Sequence, residues 1–183
     1  MENRDGLIKS AIKYGLMIGI VQILLALLLY LMGIEYMTKW WVSILIFVLA
    51  IILLVTVGKK IRAENGGFIS FGNLFVLMLI SFVSSMAVAT IFNILLYNVI
   101  DTNLAQNIED VTIENMTSMF EGLGMDDDKI EEAMVGMESI SEKFTVAGQA
   151  ITFMWSIVWG AIISSILAAI LKKNPNPFEE EEQ

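Results

Sequence analysis

The chain has 183 residues, 56% of them hydrophobic, and a mean hydropathy of +0.71 that lies outside the range of ordinary soluble domains. It contains no cysteine and no histidine, which removes disulfides, iron–sulfur clusters, thiolate metal sites, the commonest general base and the commonest metal ligand together. The formal net charge of −9 is unevenly distributed, and the distribution carries more information than the sum.

Four apolar stretches, roughly 12–33, 40–57, 74–100 and 146–171, organise the sequence, and no residue is charged within Tyr14–Met32, Trp40–Val57, Leu74–Ile100 or Val146–Leu171. Each is near or above the ~20 residues with which an α-helix crosses ~30 Å of hydrocarbon at ~1.5 Å per residue. Lipid offers no hydrogen bonds, so a segment that satisfies its own backbone is the economical way across. The prediction is an all-α fold: a four-helix transmembrane bundle with a short acidic amphipathic helical hairpin between spans three and four, forming one membrane domain over residues 1–183.

Arg4, Lys9 and Lys13 precede the first stretch and give it the look of a secretory signal. A signal's apolar core is only ~7–15 residues and ends at a small-residue cleavage site; this run is longer and ends Tyr30-Leu31-Met32-Gly33-Ile34-Glu35. It reads as an uncleaved first span. Gly15 and Gly19 lie four residues apart on it, and Gln22 near its middle is expected either to bond across a helix interface or to line a polar path.

After the second stretch the chain reads Gly58-Lys59-Lys60-Ile61-Arg62, then Asn65-Gly66-Gly67, a turn signal, and then Phe68, Ile69 and Phe71, which return it to the bilayer. The bases here serve either as topology anchors or as contacts to anionic headgroups.

The third stretch places Ser81, Ser85 and Ala89 at intervals of four, with Asn93 next on the same face; the fourth repeats the device with Ser156, Gly160, Ser164 and Ala168. Residues four apart share a helix stripe, and small ones allow two backbones to approach. These residues, with Gly15, Gly19 and Gln22, are the helix-packing candidates, and spans three and four are expected to meet through their stripes. Trp155 and Trp159, one turn apart, pack against a helix or lipid, or form the wall of a pocket.

Between these spans, residues 101–145 carry twelve acids and two bases. Ile113, Met116, Met119 and Phe120 recur at helical spacing, as do Ile130, Met134, Met137, Ser141 and Phe144. Gly122-Leu123-Gly124 separates two amphipathic helices whose apolar, Met-rich faces are expected on the bundle or at the membrane interface. Asp126-Asp127-Asp128 reads as a helix cap and solvated face, or as a divalent-cation site lacking the spacing of a calcium loop. After Lys172 and Lys173, prolines 175 and 177 end the last helix, and the acidic tail 174–183 is expected to be disordered.

Three bases precede span one, three follow span two and two follow span four, so eight of the eleven fall on one face if both termini share it. Bases near span ends stay in the cytoplasm. Both termini and the 58–73 loop are therefore expected to be cytoplasmic, with 101–145 periplasmic. Tyr30, Tyr36, Trp40, Trp41 and Tyr97 fall near the outer interface, where amphipathic rings are best accommodated.

Three segments, Ile12-Lys13-Tyr14-Gly15-Leu16-Met17-Ile18-Gly19, Asn65-Gly66-Gly67-Phe68-Ile69-Ser70-Phe71-Gly72 and Phe92-Asn93-Ile94-Leu95-Leu96-Tyr97-Asn98-Val99-Ile100-Asp101, with the closing Lys172-Lys173-Asn174-Pro175-Asn176-Pro177-Phe178, resemble the bacterial membrane family catalogued as domain of unknown function 4199. The resemblance implies a four-span protein of the bacterial inner membrane. It implies no activity, cofactor or catalytic residue.

The leading functional expectation is a non-enzymatic membrane protein acting through association with itself, a membrane partner or lipid, because no ionisable group lies inside the spans. No catalytic residue, cofactor, metal or nucleic-acid partner is expected. The alternative is a small transporter or channel subunit in which Gln22, Asn93, Gln149 and the serines converge on one cavity. A third class, an enzyme at the outer interface using Asp101, Glu109 or Glu142 with Tyr97, has no defined spacing behind it.

Overall fold

Long apolar runs without an internal proline have one inexpensive way to satisfy their backbone groups, and the computed structural model shows them as helices. It describes residues 2–135 and 140–174. In chain order these form α1 (Glu2–Met32), the short α2 (Ile34–Met37), α3 (Trp40–Glu64), α4 (Phe71–Leu95), α5 (Leu104–Gly122), α6 (Asp127–Val135) and α7 (Val146–Leu171). A π-turn, Leu96–Ile100, extends α4, and a 3-10 turn, Ser141–Phe144, precedes α7. There is no strand among the described residues; Ile69 and Lys173 form one isolated antiparallel bridge. Four helices are long and apolar enough to cross a membrane: Arg4–Met32, Trp40–Glu64, Phe71–Ile100 and Val146–Leu171.

The chain divides into two compact units. In the first (1–22, 46–89 and 154–183), parts of α1, α3, α4 and α7 enclose a core that includes Ala11, Ile18, Leu54, Ile61, Leu74, Met78 and Ala168. The loop after α3 closes with Gly66 and Gly67 at φ 75° and 87°, a region open to glycine at little cost. Gly67 N–H bonds the Arg62 carbonyl at 2.9 Å, and the Asn65 amide bonds the Phe68 carbonyl at 2.6 Å. Ile69 then exchanges two backbone hydrogen bonds with Lys173, at 2.8 and 3.1 Å, and the Arg62 guanidinium donates to the Leu171 carbonyl at 3.0 Å.

The second unit (23–45 and 90–153) has a smaller core of Leu96, Leu104 and Ile108, packed by Tyr30, Ile34, Met37, Phe92, Tyr97 and Phe144. The wide turn at Leu96–Ile100 places Asn98 so that its amide donates both to Ile94, at 3.1 Å, and to Phe144, at 3.0 Å. Tyr97 packs its ring on Phe144 with centroids 4.4 Å apart. Thr145 opens α7: its hydroxyl oxygen accepts the Gly148 N–H at 3.0 Å.

Several boundaries differ from those read in the sequence. α1 begins nearly three helical turns before Ile12, and α3 continues past Val57 to Glu64, because the charged residues there do not break a helix and Leu7 and Ile61 among them are buried. The acidic segment holds a 19-residue α5 rather than a short one. On it the buried residues are Leu104 and Ile108, while Ile113 and Met119 of the expected apolar face are exposed. Asp127 and Asp128 lie in the first turn of α6, and Lys129 pairs with Asp126 at 3.5 Å. Met137 and the tail from 175 onward lie outside the described residues.

Candidate functional site

In the first unit α1 and α4 approach closely at two glycines. Gly15 and Gly19 are both buried. A Cβ at Gly15 would collide with the Ser81 carbonyl oxygen and meet the Ser84 Cβ at 2.7 Å; one at Gly19 would meet the Val88 Cβ at 2.7 Å. Ser81, fully buried, donates to the Ala11 carbonyl at 2.9 Å and shares that proton with Leu77, at 3.0 Å. Ser85 turns back onto the Phe82 carbonyl at 2.8 Å, and Ala89 is half-buried. The α4 stripe therefore meets the glycines of α1.

The stripe of α7 is used differently. A Cβ at Gly160 would run into the Phe82 ring, so α7 meets α4 through glycine against an aromatic. Ser164 and Ala168 are fully buried and Ser156 is half-buried. Among the described residues, the Ser164 hydroxyl and the Gln22 Oε1 are buried without a hydrogen-bond partner, a condition that costs about 1–3 kcal/mol per group. Trp155 and Trp159 are each 63% exposed, on a side of α7 that the described residues leave uncovered.

Among the described residues, two clefts of this unit join apolar and basic side chains. One, of about 230 Å³, is lined by Arg4, Leu7, Ile8, Asn65, Asn73, Val76 and Leu77. The other, of about 140 Å³, lies between α1 and α3 and is lined by Tyr14, Met17, Ile18, Val21, Leu53, Thr56, Val57 and Lys60. At its end the Lys60 ammonium sits 5.4 Å from the Tyr14 ring, whose hydroxyl donates to Glu64 at 2.5 Å. Both clefts join aliphatic walls to a basic group. Neither had a signal in the sequence, because their walls come from helices distant in the chain.

In the second unit the Tyr30 hydroxyl donates to Asp101 at 3.1 Å, and Asp101 also accepts the Asn103 N–H at 3.2 Å. Glu109 accepts the Ser141 N–H at 2.7 Å. These carboxylates hold turns together, and no group of three or more acids that could hold a metal ion occurs among the described residues. A polar cavity of about 310 Å³ is lined by Glu35, Lys39, Val111, Glu114, Asn115 and Ser118. Asn93 is half-buried and Gln149 buried; neither lines any of the three cavities, nor does Gln22.

The family described as "Protein of unknown function (DUF4199)" matches residues 13–173. The chain belongs to that family. The match takes in three spans whole and the first from residue 13, both clefts except the wall contributed by Arg4, Leu7 and Ile8, and the acidic segment. No curated protein and no solved structure matches the chain.

Proposed function

We propose that this protein is a non-enzymatic component of the bacterial cytoplasmic membrane that acts by association within the bilayer, with lipid as its foremost partner. The observation that carries the reading is how the small residues are used. Gly15, Gly19, Ser81 and Gly160 pack inside the chain, so the outward faces are left to bulky apolar side chains such as Leu24, Leu31, Phe47, Ile166 and Trp155. Faces of that kind are matched by acyl chains. Both termini lie in the cytoplasm, supported by the eight bases at the ends of the spans that lead there.

The test is purification in mild detergent followed by light scattering and native mass spectrometry. Retained lipid, a second copy or a membrane partner is the expected result; a strict monomer carrying none of them overturns the reading. A reporter fused to the C-terminus is expected to be active only in the cytoplasm, and activity confined to the periplasm reverses the orientation.

A further inference from the structure

The cleft beside Arg4 has two chemically distinct halves. Its floor is aliphatic, with Leu7 and Leu77 buried and Val76 at the side. Its rim carries the Arg4 guanidinium and the carboxamides of Asn65 and Asn73, and among the described residues no carboxylate lines it. Asn73 lies in the first turn of α4, where Leu74 N–H bonds Ser70 and the preceding N–H groups have no partner within the helix. The positive end of a 25-residue helix thus adds to the guanidinium.

We propose that this cleft is a binding site for an anionic phospholipid, with the phosphate at Arg4 and Asn73 and the start of an acyl chain on Leu7, Val76 and Leu77. The proposal rests on the reading that the chain works within the bilayer. Two features select lipid over other anions. Arg4 and Asn73 stand at the ends of two membrane-length helices, where headgroups lie, and a free phosphate or an acidic peptide leaves the aliphatic floor without a partner. The volume of about 230 Å³ admits a headgroup phosphate and a few methylenes, not a whole lipid. The remainder of each chain then lies along the exposed helix faces.

The experiment uses the full chain in detergent and in nanodiscs, with phosphatidylglycerol and phosphatidylcholine as probes and native mass spectrometry as the readout. The wild type is expected to retain phosphatidylglycerol in preference to phosphatidylcholine. Arg4→Gln is expected to weaken that retention about fivefold, the effect of one base near the surface. Val76→Trp keeps every charge but fills the cleft, and is expected to weaken it as much. Lys172→Gln removes a base that does not line the cleft and is expected to change it little. Wild-type preference in both Arg4→Gln and Val76→Trp overturns the proposal. So does thermal stabilisation by inorganic phosphate that phosphatidylglycerol does not produce, or a severalfold gain in retention when the chain is cut after Asn174, which would make the acidic tail the occupant. Lipid retained without anionic preference defeats this site alone, whereas a lipid-free monomer defeats the wider proposal.

Discussion

The Ser81 hydroxyl donates to the backbone carbonyl of Ala11 at 2.9 Å, one turn from the point where Gly15 lies against the Ser81 carbonyl. A serine reaching one way and a glycine receiving the other way make α1 and α4 a closely apposed pair. Their separation is set by backbone on both sides.

Backbone atoms do not rotate aside, so Gly15→Ala is expected to force α1 away from α4. The cost is that of overpacking, about 1–3 kcal/mol. Ser81→Ala removes a shared hydrogen bond and is expected to cost about 0.6 kcal/mol. Gly6→Ala, where an added Cβ meets nothing within 4 Å, is the control and is expected to stabilise by up to about 1 kcal/mol through helix propensity. Thermal unfolding in one detergent compares the three; equal behaviour of Gly15→Ala and Gly6→Ala refutes the seam.

A second steric constraint lies at the start of α7. A Cβ at Gly148 would collide with the Glu142 carbonyl and meet the Lys143 Cα at 2.8 Å. Gly148→Ala is therefore expected to displace the 3-10 turn from the helix. Thr145→Val, which removes the oxygen that accepts the Gly148 N–H, is expected to cost about 1 kcal/mol. Limited proteolysis between residues 135 and 146 reads both variants, and cleavage no faster than in the wild type refutes the prediction.

The loop after α3 depends on two left-handed residues. Gly66→Val or Gly67→Val is expected to cost about 1–2 kcal/mol, the penalty of a side chain in that region. The Ile69–Lys173 bridge lies just beyond, so amide exchange at both residues is expected to quicken with either change. Unchanged exchange would separate the loop from the bridge.

Tyr30→Phe leaves Asp101 with the Asn103 N–H as its described partner. The expected outcome is faster amide exchange at Asp101, whose N–H closes the π-turn onto Leu96 at 2.9 Å. Protection equal to that of the wild type would assign the turn's stability to packing of Tyr97 on Phe144 instead.

The four spans were legible because uncharged length is a local property, and the last one, Val146–Leu171, agrees to the residue with the structure. The extensions of α1 and α3 were hidden because charged residues interrupt the apolar run there, although Leu7, Ala11 and Ile61 within them are buried. The stripe Ser81–Ser85–Ala89 was visible as a face, but spacing alone does not name the helix it meets. The expected partner was α7, whereas Gly15 and Gly19 of α1 fill that role, and Gly160 of α7 meets Phe82. The π-turn at Leu96–Ile100 and the cleft beside Arg4 left no periodic trace, since one is a local change of pitch and the other joins residues from separate helices.

Trp155 and Trp159 are exposed near the middle of α7, which carries no charged residue, while Trp40 and Trp41 begin α3. The chain thus carries two pairs of fluorophores at different expected depths, with no tryptophan elsewhere to blur the signal. Lipids brominated at successive carbons should extinguish the two pairs unequally, so the native protein reports its own immersion without a label.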